Sequence, residues 1–415
     1  MKSYQAVGVA FLLLLPMALE AQEEVPASAQ EAGASGESET AEPALEELLH
    51  PEVPKTSDAI TAGVTVGSQS FNPDISVVGD FVANFGDLNP HLGIARRNTL
   101  NRHVEVAFSQ HISPSAKAVV KFAYEGGGHV HVHEEEQEEN QDGHQEAEVH
   151  EHEEGMELEE GYLQFHKLVP DFQFRLGRER VPFLTFNLLD GHELPFVNRP
   201  LAVARMLGDH GLVEDGLRIS YLFPTKTYLN ADLAIYNNRN DTAFNGGATG
   251  DRLFFARLYG YRDWQEGRKE ATWMLSYVRG PHDEEGRDAD IWGAECHYQA
   301  LPTQFDRQMV NVGYLRARVE TAGGSVSRDG YYVHLAKRWN RYHKNEIGLL
   351  WEEAESVQPG LTDRIRQLSA YLTWYETERV RLRGQYSHAF MEEGPDSDMV
   401  FLQFDYVMGT HPPHD

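Results

Sequence analysis

The sequence predicts a transmembrane antiparallel β-barrel of about sixteen strands, with long external loops and a disordered N-terminal leader. Three observations carry that expectation. From Pro73 onward the chain repeats segments in which apolar and polar residues alternate, separated by turn residues. Alternation with period two gives a strand two unlike faces, and segments of about ten residues are what a tilted strand needs to cross a bilayer. The connections also alternate between short and long, as the two ends of a bacterial membrane barrel do.

The chain opens MKSYQAVGVAFLLLLPMALEAQ, with Lys2 ahead of an apolar run at 7–15 and Ala21 at a small-residue position. That run is too short to span a bilayer as a helix, so residues 1–21 read as an export signal. No cysteine lies near that junction, so no lipid anchor is expected there. Residues 22–70, rich in Glu, Ala, Ser and Pro, form an acidic leader expected to be disordered and periplasmic. The barrel is expected over 71–409, with 410–415 as a periplasmic tail. No later segment has eighteen consecutive apolar residues, which excludes a helical membrane protein.

The net charge of −29 is localised. Residues 21–60 carry ten acids against Lys55, and residues 126–160 carry fourteen acids and no lysine or arginine. The remaining body is close to balanced. The single cysteine, Cys296, has no intramolecular partner and reads as a packed thiol on a strand.

Sixteen segments follow in order, centred near residues 79, 107, 120, 162, 176, 217, 232, 257, 274, 294, 313, 334, 349, 368, 383 and 403. Phe172, Phe174 and Leu176 alternate with Gln173, Arg175 and Gly177, and Leu217, Ile219 and Tyr221 alternate with Gly216, Arg218 and Ser220. Tyr124, Tyr162, Phe183, Tyr221, Tyr261, Trp339, Trp374 and Tyr406 sit near segment ends, where interfacial girdles belong. Alternation alone also fits a large soluble β protein. Short turns fall near 113–115, 168–171, 223–226, 339–344 and 375–378, and the longest loops near 86–100, 126–157, 181–211 and 238–251. An outward first strand places the long loops outside.

Three groups of residues could carry chemistry. On the lumen face stand Arg175, Arg218 and the run Arg379, Arg381 and Arg383, expected on the pore wall. There they either attract anions or pair with lumen acids such as Glu105, Glu179 or Glu346. The loop at 181–211 carries Phe183, Leu188, Leu194, Phe196, Val197 and Leu201, too many apolar residues for a loop in water. It is expected to fold inward and constrict the pore. Asp190, His192 and Glu193 on it could hold a divalent cation, although ordinary loop hydrogen bonding is the default. Arg199 and Arg205 could contact carboxylate or phosphate.

The third group lies in the loop at 126–157, which contains His129, His131, His133, His144, His150 and His152 among glutamates. Imidazole suits zinc, copper and nickel, but the spacing defines no single tetrahedral site. Several weak, exchangeable metal sites are expected, zinc leading; a solvated acidic loop is the plainer alternative. No cofactor is obligatory. No nucleophile elbow, HExxH, phosphate loop or dinucleotide turn occurs, so no enzyme is expected. The absence of a basic, aromatic-rich surface argues against nucleic acid.

The runs EEGYLQFHKLVPDFQFRLGRERVPFLTFN and HELPFVNRPLAVARMLGDHGLVEDGLRISYLFP resemble the zinc-regulated outer-membrane proteins or receptors of Gram-negative bacteria. That family is in turn similar to the phosphate-selective porin (O and P) superfamily. The resemblance covers roughly 70–408 and is sharpest over 159–224. It implies a sixteen-stranded porin barrel, an inward third loop, often a histidine-rich insertion, and a homotrimer in outer-membrane lipid. The lysine clusters of phosphate-selective porins are not evident. Too few residues precede the first strand for a plug, so an energising inner-membrane complex is not expected. The last strand, DMVFLQFDYVMG, precedes THPPHD, so an assembly signal would rest on Phe404 and Tyr406. Two alternatives remain beside a porin with a metal-capturing loop: a plug-less metal receptor, and a surface metal-binding protein anchored by a closed barrel.

Overall fold

Sixteen strands each pair antiparallel with their sequence neighbours, and the last pairs with the first to close the barrel. They are β1 (Asp74–Gly86), β2 (Thr99–Ser113), β3 (Ala116–Gly126), β4 (Gly155–Val169) and β5 (Phe172–Arg180). Next come β6 (Val213–Leu222), β7 (Tyr228–Tyr236), β8 (Leu253–Trp264), β9 (Lys269–Pro281), β10 (Asp288–Thr303) and β11 (Asp306–Thr321). The last five are β12 (Gly324–Trp339), β13 (Asn345–Glu355), β14 (Arg364–Thr377), β15 (Val380–Met391) and β16 (Ser397–Gly409).

The structure, a computed structural model, describes residues 73–86, 99–126, 155–240, 242–244, 252–283, 285–340, 344–357, 364–392 and 394–409. It adds two three-residue hairpins, Val64–Val66 with Gln69–Phe71 and Val130–Val132 with Val149–Glu151. The first lies at the end of the expected leader, which there forms a hairpin rather than plain coil. The expected export signal, residues 22–63 of the leader and the tail lie outside the described residues.

Each of the sixteen segments read from the alternation is a strand, and the alternation has the inverted sense of a membrane barrel. Along β14 burial alternates without a break from Arg364 to Trp374, with Leu368, Leu372 and Trp374 outside and Gln367, Ser369 and Thr373 inside. Leu233 is 65% exposed on the outer face, whereas Arg383 is fully buried on the inner one. A soluble β protein would reverse this pattern, because water would face the polar side. Cys296 pairs in register with Trp273, an exposed outward residue, so this half-buried thiol sits on the outer face rather than in a packed core.

The connections keep the two-ended asymmetry. Two-residue turns at Pro114–Ser115, Pro170–Asp171 and Glu378–Arg379 mark one end, while 87–98, 127–154, 181–212 and 237–252 connect strands at the other. Aromatic rings gather near the short-turn end, where Tyr221 lies 4.7 Å from Phe172 and 4.9 Å from Phe223. Near the long-loop end, Tyr277 packs 5.5 Å from Trp292. Tyr162 and Phe183, expected in these girdles, are buried inside instead, because one faces the lumen and the other belongs to the inward loop.

Replacing Leu233 by Arg tests which face meets lipid. Its mid-strand position predicts a loss of about 2–4 kcal/mol in urea-unfolding experiments on barrels folded into vesicles. Unchanged stability would mean that this face does not contact lipid.

Candidate functional site

Loop 181–212 turns into the barrel and fills much of its external half. It carries α1 (Thr185–Leu188), a 3-10 turn (Gly191–Glu193) and α2 (Leu201–Leu207). Phe183, Leu184, Phe196, Val203, Met206, Leu207 and Leu212 are fully buried against wall residues such as Tyr236, Val278, Ile291, Leu315, Tyr332 and Ile365. These wall residues of β7–β14 give the loop the apolar surface that its own apolar residues require, with polar groups set among them. Two wall glycines admit it. A Cβ on Gly293 would lie 2.6 Å from the Phe183 ring, and one on Gly330 2.8 Å from the Cβ of Ala202.

Burying backbone demands partners for its N–H and C=O groups. The wall supplies them. Thr185 N–H donates to Glu295 at 2.7 Å, Leu201 N–H to Glu352 at 2.7 Å and Val197 N–H to the Gln385 side-chain oxygen at 2.8 Å. Neither α1 nor α2 has a side-chain cap of its own, so these two glutamates do that work from the barrel. Ser276 donates to the Phe183 carbonyl, and Arg381 to the carbonyls of His192 and Leu194.

The polar residues expected to face solute on this loop are mostly structural. Asp190 is 1% exposed and accepts from Lys121 at 3.1 Å and from Arg180. With Glu193 it forms a capping box across the 3-10 turn, which holds His192 in a buried position. Arg199 is not available for carboxylate or phosphate: its guanidinium donates to the carbonyls of Phe186, Leu189 and Asp209. Burial, and then the Arg180 charge beside it, pull its pKa below the ordinary guanidinium range. Arg205 is buried on α2, and its carbonyl accepts from Val357 N–H.

On the wall the structure builds a ladder of alternating charge across β5–β8. Arg175 and Arg218 stand opposite one another in register, and Glu179 bridges them at 3.1 and 2.9 Å. Tyr236 OH donates to the other oxygen of Glu179 at 2.8 Å. Asp232 then joins Arg218 at 3.2 Å to Arg257 at 2.6 Å. The ladder is therefore three cations against two carboxylates.

The arginine run on β15 divides. Arg381 and Arg383 point inward, Arg381 on Asp405 at 2.6 Å and Arg383 on Thr373 and Gln403. Arg379 does not belong to the wall: it lies exposed in the two-residue turn before β15. The strand begins one residue later than the alternation suggests.

Beneath the loop a cavity of about 590 Å³ remains, lined by Leu188 and Leu189 of the loop and by Arg218, Asp232, Arg257 and His297 of the wall. A second space of about 490 Å³ shares Gln173, Ser220, Tyr228 and Asn230 with it and reaches the short turn at Pro170 and Asp171. These two spaces together follow the charged wall from the inward loop toward the short-turn end.

Of the six loop histidines, His129, His133, His144 and His152 lie outside the described residues. His131 and His150 occupy one register position of the hairpin Val130–Val132 with Val149–Glu151. Asp232, Arg257, His297 and His103 escape the sequence, and Glu105 reads there only as a lumen acid and not as a neighbour of His103 and His192. In a barrel with a polar interior, one charged inward residue looks like any other. Only the register shows which of them meet.

These features define a barrel of the Gram-negative outer-membrane porin fold. No family model matches the sequence. An uncharacterized protein of Aquifex aeolicus is 25% identical over 309 residues, 63% of this chain; the match spans 64% of that relative, less than two thirds of its length. OprB of Pseudomonas putida superposes with a TM-score of 0.56 at 12% identity, covering 81% of this chain and 94% of its own. The anion-selective porin of Comamonas acidovorans gives 0.53 at 12% identity, covering 81% and 99%. The outer-membrane channel DcaP of Acinetobacter baumannii gives 0.52 at 12% identity, covering 84% and 100%. At such identities the likeness concerns the fold.

Glu179→Gln removes the negative charge shared by Arg175 and Arg218. It is expected to shift the zero-current potential in a KCl gradient toward anions, and to cost roughly 3–5 kcal/mol through the buried charges it leaves. An unchanged potential would show that the ladder does not face permeating ions.

Proposed function

We propose that the protein is a narrow outer-membrane channel for diffusion of small polar or charged solutes, with an external His/Glu loop that captures divalent metal, zinc foremost. The observation that carries the channel reading is the cavity that descends along the charged wall from the inward loop to the periplasmic end. A wall of three arginines against two carboxylates favours anionic or zwitterionic solutes over cations. Phosphate selectivity is not part of the proposal.

The capture reading rests on composition and position. Six histidines and a run of acids lie between β3 and β4, one hairpin before the inward loop. A run of imidazoles and carboxylates with no single tetrahedral spacing binds in fast exchange and loses metal as the imidazoles protonate below about pH 6.5. The resemblance to zinc-regulated outer-membrane proteins supports the same reading. A homotrimer in outer-membrane lipid is part of the proposal, and cross-linking of the folded protein in detergent tests it.

A second reading has an observation of its own. The fully buried apolar packing between loop 181–212 and β7–β16 favours a sealed barrel that merely anchors a metal-binding surface. Planar-bilayer recording separates the two. Discrete open-channel steps from the purified protein are expected, and a silent barrel would defeat the channel. Deleting 129–154 is expected to leave those steps in place while lowering zinc uptake by cells at low external zinc. Unchanged uptake would remove the loop from metal capture.

A further inference from the structure

We propose that His103, Glu105 and His192 form a binding centre for one divalent transition-metal ion inside the barrel, with Glu159 beside them. One donor atom from each of His103, Glu105 and His192 lies within 4.8 Å of the other two. Glu159 is within the same reach of His103 and of Glu105, in sets completed by Glu125 and by Asp190. Tetrahedral zinc, with bonds of about 2.0–2.2 Å, holds its donors roughly 3.3–3.5 Å apart, so a contraction of at most about 1.5 Å closes the site. The centre stands on its own geometry. Only its use as the next holder of captured metal rests on the loop reading above.

Three elements converge on it. His103 and Glu105 are two residues apart on β2 and share its inward face. His192 comes from the 3-10 turn of the inward loop. Glu159 arrives by a β-bulge: Lys121 pairs with Glu160 and Phe122 with Leu158, leaving Glu159 as the extra residue of β4. The bulge turns Glu159 and Glu160 inward together, while Leu158 stays exposed on the outer face. Bulges of this kind re-aim side chains beside functional sites.

The surroundings orient these donors. His103 Nδ1 lies 3.3 Å from Glu125, which directs Nε2 toward the centre, the arrangement in which a metal-binding imidazole gives its other nitrogen to a carboxylate. His103 Nε2 is buried and without a hydrogen bond among the described residues, 3.9 Å from Glu159 Oε1, and Glu159 Oε2 is likewise without one. Lys121 binds Glu160 at 2.9 Å and Asp190 at 3.1 Å, and Arg180 also binds Asp190. Arg180 also lies 3.9 Å from Glu159 Oε1, the oxygen that His103 Nε2 approaches at the same distance, so Glu159 stands between a guanidinium and an imidazole. Arg381 of β15, three strands from β2 around the closed barrel, donates to the His192 carbonyl and holds the turn from that side.

Two imidazoles with carboxylates select a borderline ion such as zinc, cobalt or nickel over calcium or magnesium, which take oxygen ligands. Access comes from outside. Side-chain exposure falls from 34% at Glu125 to 14% at Glu159, and Glu105 is fully buried. Glu125 and Glu159 stand at the ends of the two strands that the His/Glu loop joins.

The test titrates the detergent-solubilised barrel with zinc chloride by calorimetry and with cobalt chloride by visible absorption. Three proteins are compared: full-length, a 129–154 deletion, and that deletion carrying His103→Gln and His192→Gln. The deletion is expected to keep one equivalent of metal and a cobalt d–d band. The double substitution should weaken binding by at least about tenfold and abolish the band. Glu105→Gln is a second variant with the same expectation, and heat-modifiable gel mobility certifies that each is folded. A folded deletion protein that binds no metal overturns the centre even if the full-length protein binds through its loop. Metal retained at full affinity by the folded substitutions overturns it as well. If the deletion protein binds metal but zinc uptake by cells is unaltered, the centre stands and the capture role of the loop falls.

Discussion

Burying the backbone of loop 181–212 in the lumen is the constraint on which the rest of the structure depends. Peptide groups taken out of water must be matched, and two short helices without caps cannot match their own. Glu295 and Glu352 reach from β10 and β13 to the first turns of α1 and α2, and Gln385 and Arg381 reach from β15 to the chain between them. The apolar residues of the loop supply the driving force, but these wall groups fix the pose. Because the pose is fixed, His192, Asp190 and the cavity-lining Leu188 and Leu189 have defined places.

The lumen consequently has two unlike sides. Toward β7–β16 the external half is dry and packed, while the wall from β2 to β8 is lined by charge from Glu125 and His103 down to Arg218, Asp232 and Arg257. The two spaces of about 590 and 490 Å³ beneath the loop both lie along the charged side. The same side carries the proposed metal centre at its outer end and opens toward the periplasm at its inner one.

Much of this was legible in the sequence where a single periodic rule governs. Alternation at Phe172–Leu176 and Leu217–Tyr221 gives the correct faces, and Arg175 and Arg218 are inward as expected. The apolar content of 181–211 gives the inward loop, because nothing but the lumen could cover Phe183, Leu194 and Phe196. The rule fails where strands end or break. Arg379 falls in a turn because the hairpin at Glu378 and Arg379 stops the alternation one residue early. Glu159 is unreadable for a related reason, since a bulge changes the facing of every later residue on β4. The partners of Arg199 were also hidden: it looks like a solute contact in sequence, yet its three acceptors are carbonyls brought near only by the fold of the loop.

Hydrogen exchange of the loop amides in the detergent-solubilised barrel reads directly whether the loop is held inside the lumen. Thr185, Val197 and Leu201, whose N–H groups bond to Glu295, Gln385 and Glu352, are expected to exchange as slowly as strand amides. Replacing Glu352 by alanine should speed exchange at Leu201 and along α2 while leaving Thr185 slow. Exchange of all three at the rate of an open loop in the unmodified protein would contradict a loop fixed inside the barrel, and with it the placement of every group assigned to the site.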